Sequence, residues 1–283
     1  MSCNKHPYPE EEMYVKETWG KSIIDGEFGD VGFMIYRGGY DSTKYDDKRN
    51  LLKLKCGDGW KDTYTKTVEC LKYVKTKGYD CVVKTNTSNY VNVRLVLDFI
   101  ASLPENDCKI YGPKILCVPN DHLCFLRGNF NIFTPKVVDD IIRTFKPKAR
   151  GTDDTCISKR LYGLYGTNYY SKIVQIPEMN IDNLDYEKCG NILNFRLKGV
   201  TVGNGEIVNR GNMKKKMHSV HKKISAMKKF SIPKPKTTGD TLERVRRYRC
   251  VIGDLKTPNN IPVKKVVKKK TKNGGIPITS FFG

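Results

Sequence analysis

Through the first 200 positions, short apolar runs alternate with longer stretches in which apolar residues recur every three or four positions. The runs VGFMIY (31–36) and LLKLK (51–55) predict strands. Over 65–77, Val68, Leu71 and Val74 share one helix face, and Gly78 supplies the stop. YDCVVK (79–84) predicts another short strand. VNVRLVLDFIASL (91–103) has helical periodicity and halts before Pro104. FLRGNFNIF (125–133) predicts a strand interrupted at Gly128, and Pro135 suits the first turn of a helix reaching about Phe145. A further helix is expected over 153–162. Strands alternating with helices predict an α/β, Rossmann-like domain: a mainly parallel mixed sheet flanked by helices.

After about residue 205 the pattern changes. A basic helix is expected over 214–230, an extended linker at 232–236 (IPKPK) and a short helix at 242–249. The lysine-rich stretch 263–275 has too few apolar residues to build a core and is expected to be disordered alone. The chain therefore divides into an α/β domain (1–205) and a basic C-terminal extension (206–283).

Charge sharpens that division. The formal net charge is +21, and residues 206–283 hold 21 Lys+Arg against 4 Asp+Glu, whereas 1–205 hold 30 against 26. Such density predicts a polyanionic partner, nucleic acid or acidic membrane, bound less tightly as salt rises. Lys214, Lys215, Lys216, Arg246, Arg247, Lys268, Lys269 and Lys270 are the candidate phosphate contacts. Only Phe230 and Tyr248 interleave as stacking platforms, which predicts non-specific DNA or RNA binding. The run KKVVKKK also suits an intracellular targeting signal.

Ten cysteines without a CxxC pair, several inside apolar runs, predict buried reduced thiols rather than a disulfide framework or a zinc site. His218 and His221 share a helix face among lysines, which favours a solvated surface over a ligand pair. The polar, acidic N-terminus lacks a signal-peptide core, and no apolar stretch approaches a membrane span. The expectation is a soluble intracellular protein of cytoplasm, nucleus or virion.

ETWG (17–20) before VGFMIY, then DGWKDTYTKTVECLKYV (58–74) and VVKTNTSNYVN (82–92), follow one another in a suggestive order. IYGPKILCVPND, FLRGNFNIFTPKVVDDI and GTDDTCISKRLYG come next. Over about residues 14–166 this order resembles the β-1,3-galactosyltransferase and Fringe-like glycosyltransferases of GT-A type, of the kind encoded by large DNA viruses. The resemblance implies transfer of a sugar from a nucleotide-diphosphate donor, UDP-linked by analogy, to a hydroxyl acceptor. In that family the strand matching residues 82–85 ends in acidic residues that hold a divalent cation on the diphosphate. Here Asn86, Thr87 and Ser88 stand in their place, so the resemblance implies no metal at this site.

Two readings follow from that departure. In one, transfer proceeds without metal: Arg37, Lys84 and a cation from the tail stabilise the departing diphosphate, and Asn86, Thr87 and Ser88 bind donor oxygens. Asp153 or Asp154 then matches the base that deprotonates the acceptor, although both also suit a helix N-terminus. Gly128 either lets the backbone approach a ligand or marks a bulge. In the other, the fold is a non-catalytic descendant, a nucleic-acid-associated or virion structural protein working through its basic tail. Trp19 is expected in the core, and Trp60, beside Gly57 and Gly59, either stacks on a sugar or base or packs locally. Asp121 suits a turn. The C-terminal Ile278, Phe281 and Phe282 resemble the hydrophobic plug of a motif that docks on the sliding clamp.

Overall fold

A computed structural model describes residues 1–2, 4, 8–79, 81–118, 123–180, 186–197 and 212–235. Asp121, Arg246, Arg247, Lys268, Lys269, Lys270, Ile278, Phe281 and Phe282 lie outside the described residues, as do the expected helix at 242–249 and the stretch 263–275.

The centre is a four-stranded sheet in the order β10 (Ile173–Gln175), β6 (Ile110–Gly112), β9 (Phe130–Phe133), β4 (Val82–Thr85). Strand residues alternate between its two faces, as the period of two requires. Val82, Ile110, Phe133 and Ile173 join one apolar cluster with α3 (Thr63–Lys75), α5 (Pro135–Arg143) and α6 (Asp153–Tyr165). Their neighbours Val83, Tyr111, Ile132 and Val174 join a second cluster on the other face. That cluster takes in α1 (Tyr8–Glu17), α2 (Trp19–Ile24), α4 (Val93–Ala101) and α7 (Met213–Ala226). It also includes the sheet β11 (Glu178–Asn180), β12 (Asn194–Arg196), β5 (Asn89–Val91). A further sheet of β1 (Ile35–Arg37), β3 (Leu51–Lys53) and β2 (Lys44–Asp46) packs against α3 through Tyr36 and Leu52.

Among the described residues the expected helices are present, as α3 to α7. α3 ends in a turn where Gly78 takes φ +74, a left-handed value that a side chain disfavours. Pro135 begins α5 and Asn92 caps α4, its amide oxygen accepting the Leu95 N–H at 3.3 Å.

The sheet departs from expectation, being mixed rather than mainly parallel. β9 runs antiparallel to both β6 and β4, while β10 pairs parallel with β6. A parallel neighbour needs a crossover of a dozen or more residues, usually helical. Among the described residues the link between β6 and β9 holds no helix, only the paired strands β7 (Ile115–Val118) and β8 (Leu123–Leu126). The stretch 125–133 is accordingly parts of two strands in different sheets, parted at Gly128.

The hairpin also corrects the cysteine expectation. Cys117 and Cys124 are direct cross-strand partners and form a disulfide, while Cys56, Cys70, Cys108 and Cys156 are thiols outside any disulfide. Nothing in a spacing of seven announces that pairing; it follows from the hairpin register. Among the described residues no helix is long and apolar enough to cross a membrane.

Helix α7 lies beyond residue 205, in the segment read as a basic extension. Met213, Met217, Val220 and Ile224 recur at helical spacing and are buried in the same core as α1, α4 and β5. His221 is half-buried rather than solvated, with its Nδ1 and the Tyr90 hydroxyl 3.1 Å apart in a shared hydrogen bond.

Candidate functional site

Strand β4 delivers the chain to Asn86, Thr87 and Ser88, and each is tied into the fold. The Asn86 N–H donates to the Asn129 carbonyl at 3.0 Å. The Thr87 hydroxyl donates to buried Glu11 of α1 at 2.6 Å. Ser88 is buried, and its carbonyl accepts the Leu197 N–H at 3.1 Å. Asn89, the next residue, donates its side-chain amide to the Asn129 carbonyl at 2.8 Å and to Thr85 Oγ1 at 3.3 Å. Among the described residues, no group of three or more His, Cys, Asp and Glu side chains is placed to hold a metal ion.

Four other candidates, from three separate stretches of the sequence, are adjacent in space. Lys84 Nζ donates to the Gly128 carbonyl and forms an ion pair with Asp153; the two side chains are only 3% and 8% exposed. Asp153 also accepts from Thr67 Oγ1 at 3.2 Å, and the Tyr36 hydroxyl lies 3.2 Å from that same Thr67 oxygen. Burial first, then the charges of Cys70 and Asp153, hold the Tyr36 phenol well above its ordinary range. Asp154 accepts the Gly128 N–H at 3.1 Å and its neighbour Thr155 N–H at 2.8 Å. A Cβ on Gly128 would stand 3.0 Å from Asp153 Oδ1 and 3.1 Å from Asp154 Cβ, so this close approach uses the missing side chain.

Within this cluster the Lys84–Asp153 pair is buried, while Asp154 is half-buried. A general base needs an oxygen turned toward the proton it takes, and the Asp153 carboxylate faces Lys84 and Thr67. A cation that steadies a leaving diphosphate must face it, and the Lys84 ammonium faces Gly128 and Asp153. Arg37 lies elsewhere, in β1, with its guanidinium forked onto Glu12 of α1 and a third contact to Asn4 Oδ1 at 3.2 Å. Glu11 and Glu12 were not singled out by sequence. They sit in a helix whose mean character is polar, and only the tertiary pairing shows that each satisfies a buried partner. The same holds for Glu178, which accepts from Arg127 Nη1 at 3.2 Å, from Asn194 Nδ2 at 3.1 Å and from Asn129 Nδ2.

Along β4, from Tyr79 and Cys81 before the strand to Asn86 and Thr87 after it, runs a cavity of about 320 Å³. Its Asn86–Thr87 end is where open α/β sheets take ligands. Trp19, Phe33, Val83, Val96 and Leu97 are among its walls, and Asp153, Asp154, Lys84, Arg37, Ser88 and Gly128 are not. Trp19 is in the core, its indole N–H donating to the Asn89 carbonyl at 3.1 Å, whereas Trp60 sits in a turn with 65% exposure.

The third concentration of candidates is the outer side of α7. With Met213, Met217, Val220 and Ile224 turned inward, Lys214, Lys215, Lys222 and Lys223 are exposed, followed by Lys228, Lys229 and Lys234. Lys216 is partly covered, and Lys214 stands 4.0 Å from Glu17 of α1. Compared with known proteins, the chain matches no protein-family model and no curated protein.

Proposed function

We propose that this chain is a non-catalytic, polyanion-binding protein: a glycosyltransferase-like α/β scaffold whose working surface is the lysine face of α7. The observation that carries the reading is the buried stripe of Met213, Met217, Val220 and Ile224. It fixes the lysines in one orientation on a packed surface, so they meet a phosphate backbone without the ordering cost of a free arm. Nucleic acid is the polyanion that suits a straight row of cations with few stacking side chains.

The engagement of the other candidates argues in the same direction. Metal-free transfer of a sugar needs cations free to meet a diphosphate, and Lys84 and Arg37 are each paired with a carboxylate. The cavity beside Asn86 favours the transferase reading by its location, but among the described residues no Lys or Arg is in its walls.

The test is fluorescence anisotropy with a labelled random-sequence DNA duplex, titrated across a series of salt concentrations. Affinity is expected to fall log-linearly with salt. Replacing Lys215, Lys222 and Lys223 by Gln is expected to lower the slope by about 0.9 for each phosphate no longer neutralised. A slope unchanged by the triple replacement would remove α7 from the interface. Calorimetry with UDP and UDP-sugars, with and without Mn²⁺, is expected to give no heat of binding; tight binding would overturn this reading in favour of sugar transfer.

A further inference from the structure

The cavity beside β4 has a chemistry of its own, independent of the polyanion-binding surface. Its walls come from α2, residues 30–36, β4 and α4, and they are overwhelmingly hydrocarbon and aromatic ring. Among the described residues lining it, Asp30 is the only ionised side chain, and it is an acid. The Met1 amine also reaches the wall and donates to the Thr85 carbonyl at 2.7 Å. Burial, with help from Lys84, pushes that amine down to about 5, so it is neutral near pH 7. The Cys70 thiol in the wall is pushed up to about 12 by burial and stays protonated. An anion entering this space would lose its hydration and meet no countercharge among the described walls, which opposes its binding.

The polar groups at the floor are already engaged. Thr87 Oγ1 is bonded to Glu11, and Thr85 Oγ1 accepts from Asn89. The exception is Asn86, whose buried Oδ1 has no hydrogen-bond partner. Of the nine buried side-chain polar atoms without a hydrogen-bond partner among the described residues, it alone belongs to a residue of this cavity's wall, where a donor could satisfy it. The aromatic wall is preorganised: Trp19 and Phe33 meet edge to face at 5.8 Å between centroids, and the Trp19 indole is fixed by its bond to Asn89. The ring of Tyr79, 41% exposed, closes over Gly32; a Cβ there would sit 2.1 Å from the tyrosine oxygen. Only glycine at 32 allows Tyr79 to lie where it does.

We infer that this cavity binds a small, uncharged, largely apolar molecule carrying one hydrogen-bond donor, with the apolar body against Trp19 and Phe33 and the donor directed to Asn86. Its size is at the lower end of small-molecule sites, about 300–1,000 Å³. The absence of a Lys or Arg among the described wall residues separates this occupant from a nucleoside diphosphate or a fatty acid.

The probe is N-phenyl-1-naphthylamine, which is neutral, aromatic and has a single N–H donor, used on the full chain. Trp60→Phe leaves Trp19 as the one tryptophan, so energy transfer from Trp19 reports arrival in this cavity. Saturable probe fluorescence with parallel quenching of Trp19 is expected. The sulfonated relative, 1-anilinonaphthalene-8-sulfonate, is expected to bind at least about tenfold more weakly. Leu97→Phe, which narrows the space, and Asn86→Ala are each expected to weaken the neutral probe, by about tenfold and about threefold to tenfold. Should Leu97→Phe lower the melting temperature sharply, Gly32→Val perturbs the entrance through Tyr79 and replaces it. Probe binding without Trp19 quenching, equal affinity for the sulfonate, or indifference to the wall variants would each overturn the inference.

Discussion

At the scale of single residues, the ion pair of Lys84 and Asp153 governs how the centre of the molecule is read. Two charges that are almost fully buried gain little net stability together, but removing one leaves the other uncompensated. Lys84→Met is therefore expected to destabilise the protein by about 3–5 kcal/mol, measured by urea denaturation. Adding Asp153→Leu to that variant is expected to restore more than half of the loss, because both charges are then gone. A donor-binding lysine at the surface of a pocket would behave differently, with small stability changes in either variant. Lys84 and Gly128 were named from the sequence as donor-binding candidates and Asp153 and Asp154 as candidate bases, and these four lie together, whereas Arg37 of the same donor set lies elsewhere. What the sequence could not convey is which atoms face which. Glu11, Glu12 and Glu178 were illegible for the same reason: their partners are 76, 25 and 51 residues distant, and no local pattern encodes such a pair.

At the scale of elements, helices α3 to α7 and the places of strands β1, β3, β4, β8 and β9 were readable, whereas α1, α2 and the pairing of the strands were not. A helix of nine or more residues repeats its apolar period several times, and α4 and α5 do so with a capping Asn92 and a leading Pro135. Most strands here are three or four residues long, too short for a period of two to stand out. The hairpin β7–β8 illustrates the consequence, since its register makes the Cys117–Cys124 disulfide. Cys117→Ser with Cys124→Ser is expected to cost about 2 kcal/mol by releasing a short loop in the unfolded chain, checked by chemical denaturation. Differential alkylation and mass measurement should find this pair blocked until a reductant is added. Helix α7 supplies a pH-dependent element. Burial, and then the charge of His218, lowers the His221 pKa below its ordinary value of 6.5. The folded state thus binds fewer protons than the unfolded one in the window between the two values. Stability from this contact is full above the unfolded pKa and falls away as pH drops through the window toward the folded one. His221→Gln is expected to flatten the difference in melting temperature between about pH 7.5 and about pH 5.5, relative to the native residue.

At the scale of the whole molecule, the basic surface and the core are one construction. The sequence located the excess charge but not its support, because the apolar stripe of α7 is diluted by the lysines around it. Val220 is 1% exposed and packs within the cluster that also holds Tyr90, Leu95 and Phe195. Val220→Ser keeps every lysine and the net charge, yet places an unsatisfied hydroxyl where a hydrocarbon was, a destabilisation of about 1–3 kcal/mol. If the lysines work as a fixed array, loosening α7 should weaken DNA binding at constant salt while leaving the salt slope nearly unchanged. The number of released counterions depends on how many lysines reach phosphates, whereas the affinity also carries the cost of ordering them. Replacing lysines should lower both quantities together. Anisotropy titrations of Val220→Ser and of the lysine variants separate the two effects. An affinity indifferent to Val220→Ser, with α7 shown to be loosened by faster amide exchange, would mean that the charge acts as a cloud and not as a surface.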